Sequence, residues 1–135
     1  MRNCESAIYS LPMNRKVLEK PGVDASQADA LRRFKAEVFQ VLGHPTRIHI
    51  VEVLRNGELP VSAILEAVGV EAANLSQHLS VLRSRRLVIN RKEGSQVLYS
   101  LRDPMLTEVL DTMRRYFQIH LEESMAMLKG MEVAG

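Results

Sequence analysis

The sequence predicts a mainly α-helical fold with a small antiparallel β-hairpin, on three observations. Apolar residues recur at three- and four-residue intervals in successive stretches from near Ala28 to Leu82. From Leu87 to Leu101 the period switches to two, interrupted by Lys92-Glu93-Gly94-Ser95. After Asp103-Pro104 a long apolar stripe of helical spacing runs to Leu128. In that order, a short helix, a tight turn, a polar helix and a ribbon form the pattern of a winged helix-turn-helix.

Residues 1–25 hold Pro12 and Pro21-Gly22 and no sustained period, and read as an N-terminal arm. Residues 26–130 then form the winged domain. Its first helix carries Leu31, Phe34, Val38, Val41 and Leu42 on one face, and Gly43 ends it. The following proline forces His44 out of helical geometry, and Pro45 suits the first turn of a second helix. That helix runs to about Arg55 with Ile48, Val51 and Leu54 inward, and Asn56-Gly57 stops it. Ser62 is placed to cap a short third helix with Ile64, Leu65 and Val68 inward. Gly69 makes the tight turn, and Glu71 takes the capping position of the fourth helix. There Leu75, Leu79 and Leu82 fall on the buried side, leaving Asn74, Ser76, Gln77 and Ser80 outward and His78 near the edge.

Strands Leu87–Arg91 and Gln96–Leu101 flank a tip in which Gly94 can take a left-handed turn conformation. The terminal helix, from about 104 to 129, bears Met105, Leu106, Val109, Leu110, Met113, Phe117, His120, Leu121, Met125 and Leu128. So broad a stripe exceeds what a small domain covers, which marks an interface. A homodimer follows, with Leu31, Phe34, Leu106, Leu110, Met113, Phe117, His120 and Leu121 between the copies.

A chain of 135 residues, 46% hydrophobic, supports one domain with a real core. The formal net charge of +2 says little by itself, but its distribution does. Between Leu75 and Arg102 six basic residues face one acid, a local balance of +5 that leaves −3 elsewhere. A basic segment on a mildly acidic body suits a phosphate-facing surface. Helix-end charge alone accounts for Arg83, Arg85 and Arg86, but not for Arg91 and Lys92. The single Cys4 makes no internal disulfide; it is either a redox-sensing or metal-binding thiol on the arm or an inert surface residue. No signal peptide and no run of about 20 apolar residues is present, so a cytoplasmic protein without membrane contact is expected. No phosphate-cradling loop, paired histidines at ligand spacing or nucleophile–base set appears, which argues against an enzyme.

Discrimination in a major groove needs short polar side chains near the start of a helix. Asn and Gln donate and accept together, as an adenine edge requires, and Ala72 and Ala73 keep the helix start slim. The residues expected to meet DNA are Ala73, Asn74, Ser76, Gln77, His78, Ser80 and Arg83 on the polar helix, with Arg91, Lys92 and Gln96 on the ribbon. The ribbon cations supply affinity with little sequence information. Arg47 either contacts phosphate or pairs with an acid such as Glu52 or Glu58.

Two motifs at the right separation, Phe34-Lys35-Ala36 through Leu42-Gly43-His44-Pro45-Thr46-Arg47-Ile48 and Leu75-Ser76-Gln77-His78-Leu79-Ser80-Val81-Leu82-Arg83 with Leu87-Val88, carry a resemblance. They are similar to the ArsR/SmtB bacterial transcriptional repressors, over about residues 28–128. The resemblance implies a dimeric winged-helix repressor that leaves a double-stranded operator when an inducer binds. The family's third-helix thiolate site would fall on Pro60 and Ser62, neither of which is a thiolate. In its last-helix zinc site His120 and Glu123 match one half, but Thr107 and Val109 occupy the other. No metal and no cofactor are therefore expected, and the effector is a small molecule of unidentified chemistry. The alternative is a winged-helix adaptor for other proteins that makes no specific DNA contact.

Overall fold

The computed structural model describes Gly22 and residues 24–134. The N-terminal arm, with Cys4, lies almost wholly outside the described residues. The elements are α1 (Ala25–Leu42), α2 (Pro45–Val53) with a 3₁₀ turn (Leu54–Asn56), β1 (Leu59–Pro60), α3 (Val61–Val68), α4 (Ala72–Ser84), β2 (Val88–Glu93), β3 (Gln96–Leu101) and α5 (Met105–Ala134). The chain divides into two units, one ending at Phe39 and the other beginning at Gln40.

In the first unit α1 starts three residues before the expected position, because Asp24 and Gln27 form a reciprocal cap. The Gln27 N–H donates to Asp24 Oδ1 at 2.8 Å, and the Asp24 N–H donates to Gln27 Oε1 at 3.3 Å. Asp29 then pairs with Arg32 at 3.3 Å and Arg33 at 3.1 Å, one helical turn on. Leu31, Phe34 and Phe39 are exposed.

In the second unit α2 packs on α3 and α4, and α3 and α4 pack in turn on the sheet. The core consists of Leu42, Ile50, Val51, Leu54, Ile64, Leu75, Leu79, Leu82, Val88, Leu98, Tyr99 and Leu110. The leucines of α4 are buried as their four- and three-residue spacing requires. Ile50 is also fully buried although the periodicity of α2 did not single it out, and Ile48 is only half-buried. Pro60, not Ser62, occupies the N-cap of α3, and Ser62 is an exposed residue inside that helix. Gly69 ends α3 in the left-handed region, with φ 74° and its N–H donating to the Leu65 carbonyl, so the α3–α4 turn closes in few residues. Glu71 holds the expected N-cap of α4 without a side-chain bond.

The sheet has three strands rather than the two of a hairpin, in the order β1-β3-β2, all antiparallel. Leu59 and Pro60 pair with Tyr99 and Leu98. A two-residue strand has no period to read, and its proline is tolerated at a sheet edge, where no ladder N–H is needed. β3 is thus the central strand. Adjacent Leu98 and Tyr99 point to opposite faces, yet both are buried. The second wing strand spans Gln96–Leu101 as expected, while the first reaches further, to a Glu93–Gln96 pair closed by a two-residue Gly94-Ser95 loop with Gly94 at φ 62°. The Arg55 guanidinium donates to Asp111 Oδ1 at 2.5 Å, tying the 3₁₀ turn to α5. That bond holds the Asp111 carboxyl below its ordinary range.

Leu79 is nearly inaccessible at 1% exposure, so Leu79→Ala should lower unfolding free energy by about 2–5 kcal/mol. Chemical denaturation of the two proteins measures this. A loss near zero would mean that α4 is not seated in the core as described.

Candidate nucleic-acid interface

The outward side of α4 is fixed by its buried side. With Leu75, Leu79 and Leu82 inward, Ala72, Ala73, Asn74, Ser76, Gln77 and Ser80 are all exposed. No side-chain hydrogen bond within the described residues occupies Asn74, Ser76, Gln77 or Ser80. Their donors and acceptors stay available to an external polar edge, and no carboxylate interrupts the surface from Ala72 to Ser80.

His78 departs from this pattern. Its ring packs back toward the start of α2, 4.4 Å between centroids from the His44 ring and tilted 40° to it. Arg47 Nη1 lies 3.5 Å from His78 Nδ1. His44 itself caps α2, its Nδ1 accepting the Thr46 N–H at 3.1 Å. Three α-helical residues beyond Leu75, the half-buried His78 side chain turns toward α2 and joins a small polar cluster at the edge of the polar surface. Arg47 pairs with neither Glu52 nor Glu58; its Nε donates to the Val41 carbonyl, a bond that closes the α1–α2 corner. The His44–Arg47–His78 grouping escaped sequence reading because His78 lies 31 or more residues from the other two, on a different helix.

Of the wing residues, Lys92 and Gln96 are exposed. Arg91 is not free. Its Nε and Nη2 donate to the two carboxylate oxygens of Glu58 at 2.8 and 2.6 Å, and Nη2 also reaches Glu93 at 3.0 Å. This bidentate clamp raises the Arg91 guanidinium above its ordinary range and lowers the Glu58 carboxyl, in each case chiefly through their hydrogen bond. In the single chain Arg91 thus straps the wing to the loop preceding β1. Arg83, at the last turn of α4, is exposed near Arg86 and Arg102, around an open depression.

Among the residues expected at a dimer interface, Leu31, Phe34, Met113, Phe117, His120 and Leu121 are exposed in the single chain. Leu106 is half-buried, and Leu110, at 9% exposure, belongs to the core of its own chain. Its expected place between copies is corrected accordingly: it lies where α5 meets the packed body, before the helix becomes exposed throughout. Among the described residues, eleven large apolar side chains of α5 are exposed, Tyr116, Ile119, Met127 and Met131 among them, so the stripe is broader than its sequence period indicates. His120 meets Glu123 at 3.3 Å and the Tyr116 ring at 4.3 Å. Among the described residues no cluster of three or more metal-ligating side chains exists.

Burial, then the nearby His44 and Arg47, depress the His78 pKa. With a folded value below the unfolded one, the unfolded chain binds more protons in acid. The contribution is complete above about pH 6.5 and is lost as pH falls through the lower folded value. Denaturant midpoints taken from about pH 7 down to about pH 5 should fall more for the wild type than for His78→Gln. Parallel declines would rule out His78 as the titrating group.

Residues 44–90, from the His44 cap through α4 to the start of the wing, match the bacterial regulatory protein arsR family. The HTH-type transcriptional regulator Rv0081 of Mycobacterium tuberculosis is 36% identical over 110 residues, spanning 81% of this chain and 96% of that protein. Its crystal structure superposes with a TM-score of 0.63 at 38% identity, covering 69% of this chain and 94% of that one. The homodimeric winged helix-turn-helix DNA-binding domain of Mycobacterium bovis Mb0332 gives a TM-score of 0.65 at 29% identity, covering 77% and 95%. A transcriptional repressor SmtB homolog of Synechocystis is 37% identical over 121 residues, 90% of this chain and 85% of that one. Among the described residues no helix is long and apolar enough to cross a membrane. With its polar α4 surface, its wing and these relatives together, the chain belongs to the ArsR family of bacterial regulatory proteins and is a DNA-binding transcriptional regulator with a winged helix-turn-helix fold.

Proposed function

We propose that the protein is a homodimeric cytoplasmic repressor that reads an operator with α4 and is released from it by a small effector. The observation that carries this is the outward side of α4. It presents Asn74, Ser76, Gln77 and Ser80 without internal partners and without an acid, beside a wing with an exposed Lys92. Asn74 and Gln77 make base contacts, Ala73 approaches a thymine methyl, and Ser76 and Ser80 bond base edges or phosphate. Lys92 and Gln96 hold the flanking backbone. Arg91 supports them indirectly, by fixing the wing through Glu58.

Dimerisation supplies the spacing between two such helices. The copies pair through the exposed apolar surfaces of α1 and α5, with Leu31 and Phe34 on one and Met113, Phe117 and Leu121 on the other. The homodimeric Mb0332 domain supports pairing of two copies, and the Synechocystis relative supports repression. An effector that shifts the α5 pairing changes the distance between the two recognition helices. A coupling of about 1–3 kcal/mol suffices for a switch.

Two measurements test the proposal. Gln77→Ala should reduce discrimination between a selected duplex and unrelated DNA by about 1–3 kcal/mol. Lys92→Ala should weaken both duplexes together and lower the salt slope by about 1. Identical behaviour of the two variants would abolish the division into base-reading and phosphate-holding residues. For assembly, Phe117 is the better probe than Leu110, because at 62% exposure its replacement spares the core. Phe117→Glu should sediment as a folded monomer where the wild type sediments as a dimer. A wild type that remains at 15.2 kDa at high concentration would overturn the dimer.

A further inference from the structure

We infer that the C-terminal end of α4 and the base of the wing form a second phosphate-holding site, which grips the DNA backbone beyond the bases met by the start of α4. The inference rests on α4 being the recognition helix and joins Arg83, already expected to meet DNA, with Arg86 and Arg102, which lie outside the expected contact set.

An open depression of about 320 Å³ is lined by Arg83, Arg86, Val88, Ile89, Asn90 and Arg102. Three arginines converge there and no carboxylate lines it. Among the described residues no ion pair engages any of the three, in contrast to Arg32, Arg33, Arg55 and Arg91. Guanidinium groups gathered without counter-charge repel one another, and a bound oxyanion removes that repulsion. Their fork geometry matches phosphate.

The backbone at Arg86 is the independent observation. Its φ is 55°, and it is the single non-glycine residue with positive φ among those described. Glycine is the ordinary choice where a helix ends in this way, because an L side chain crowds the backbone. Here the Arg86 N–H donates to the Arg83 carbonyl at 2.9 Å and the Leu87 N–H to the Leu82 carbonyl at 3.0 Å. The turn has the bonding of a glycine-ended helix but carries arginine instead. A charged side chain kept at a strained position points to use of that side chain. The Arg102 N–H donates to the Leu87 carbonyl at 3.2 Å, so the third arginine is anchored to the same turn.

Placement selects DNA as the source of the phosphate. Ser76, Ser80 and Arg83 follow at four- and three-residue intervals, so one side of α4 runs from the polar surface to the arginines. From Ala73 to Arg83 the helix rises about 15 Å, whereas the major groove is about 12 Å wide. A helix whose first turn meets base edges therefore carries its last turn to the sugar–phosphate wall. The depression is open, which suits a continuous backbone better than an enclosed small ligand.

The test uses the full chain, a duplex selected by the wild type from a random-sequence pool, and an unselected duplex of equal length. Arg86→Gly removes the charge while supplying the residue that the φ favours, so its melting temperature should equal or exceed the wild type's. Both duplexes should bind more weakly, and the slope of log affinity against log salt should fall by about 0.9, which is about eightfold in affinity per decade of salt. Arg102→Ala should act in the same direction. Unchanged affinities and slopes in Arg86→Gly would overturn the site. Calorimetry with inorganic phosphate at constant ionic strength separates the sources: strong phosphate binding lost in Arg86→Gly, with DNA affinity intact, would assign the pocket to a free anion and overturn the DNA proposal. Gln77→Ala is run beside them. If it alone keeps full discrimination, the recognition-helix reading fails; if it loses discrimination while Arg86→Gly matches wild type, only the arginine site fails.

Discussion

The burial of one leucine seam governs most of what this chain can do. Leu75, Leu79 and Leu82 are each at most 1% exposed, and seating them commits the opposite side of α4 to the outside. That side carries Ala73, Ser76, Gln77 and Ser80, which contribute little to stability and are free to meet a groove edge. Packing decides the orientation of the reading surface, and the surface does not have to stabilise itself. The tight α3–α4 turn at Gly69 adds the second constraint, since its left-handed conformation sets the direction in which α4 leaves the core.

Charge is divided by the same geometry. Some arginines are taken up in internal ties: Arg55 with Asp111, and Arg91 with Glu58 and Glu93. Such exposed pairs add little free energy because solvent screens them, but they fix the relative positions of a loop, a wing and a helix. Other cations remain outside these ties, Lys92 near the wing tip and Arg83, Arg86 and Arg102 at its base. Counting basic residues along the chain does not distinguish the two groups. Whether an acid such as Glu58, 33 residues from Arg91, comes within reach decides it.

The histidines are separated in a comparable way. His44 caps α2 and stacks against His78, which burial and neighbouring positive groups keep toward its neutral form. A histidine packed against a helix end steadies the junction of α2 and α4. His120, on α5, pairs with Glu123 across one helical turn. The same residue type thus serves as cap, packing partner and surface neighbour of a carboxylate, according to its surroundings.

Local physics made much of this legible in the sequence. Apolar periodicity located each α-helix among the described residues, the leucine seam of α4 and hence its exposed polar side, and the switch to a period of two located the wing. Those features depend on spacing along one element, which the chain itself prescribes. Tertiary structure decided what depends on two distant segments. It joined Leu59-Pro60 to the sheet, turned His78 inward, bound Arg91 to Glu58, and drew Leu110 into the core while leaving Phe117 exposed. It also set Arg86 in a left-handed turn that nothing in Arg83-Ser84-Arg85-Arg86 signals, since glycine is the residue that ordinarily announces such a turn. Periodicity reports which side of an element is apolar; only the fold reports which charged neighbour stands across from it.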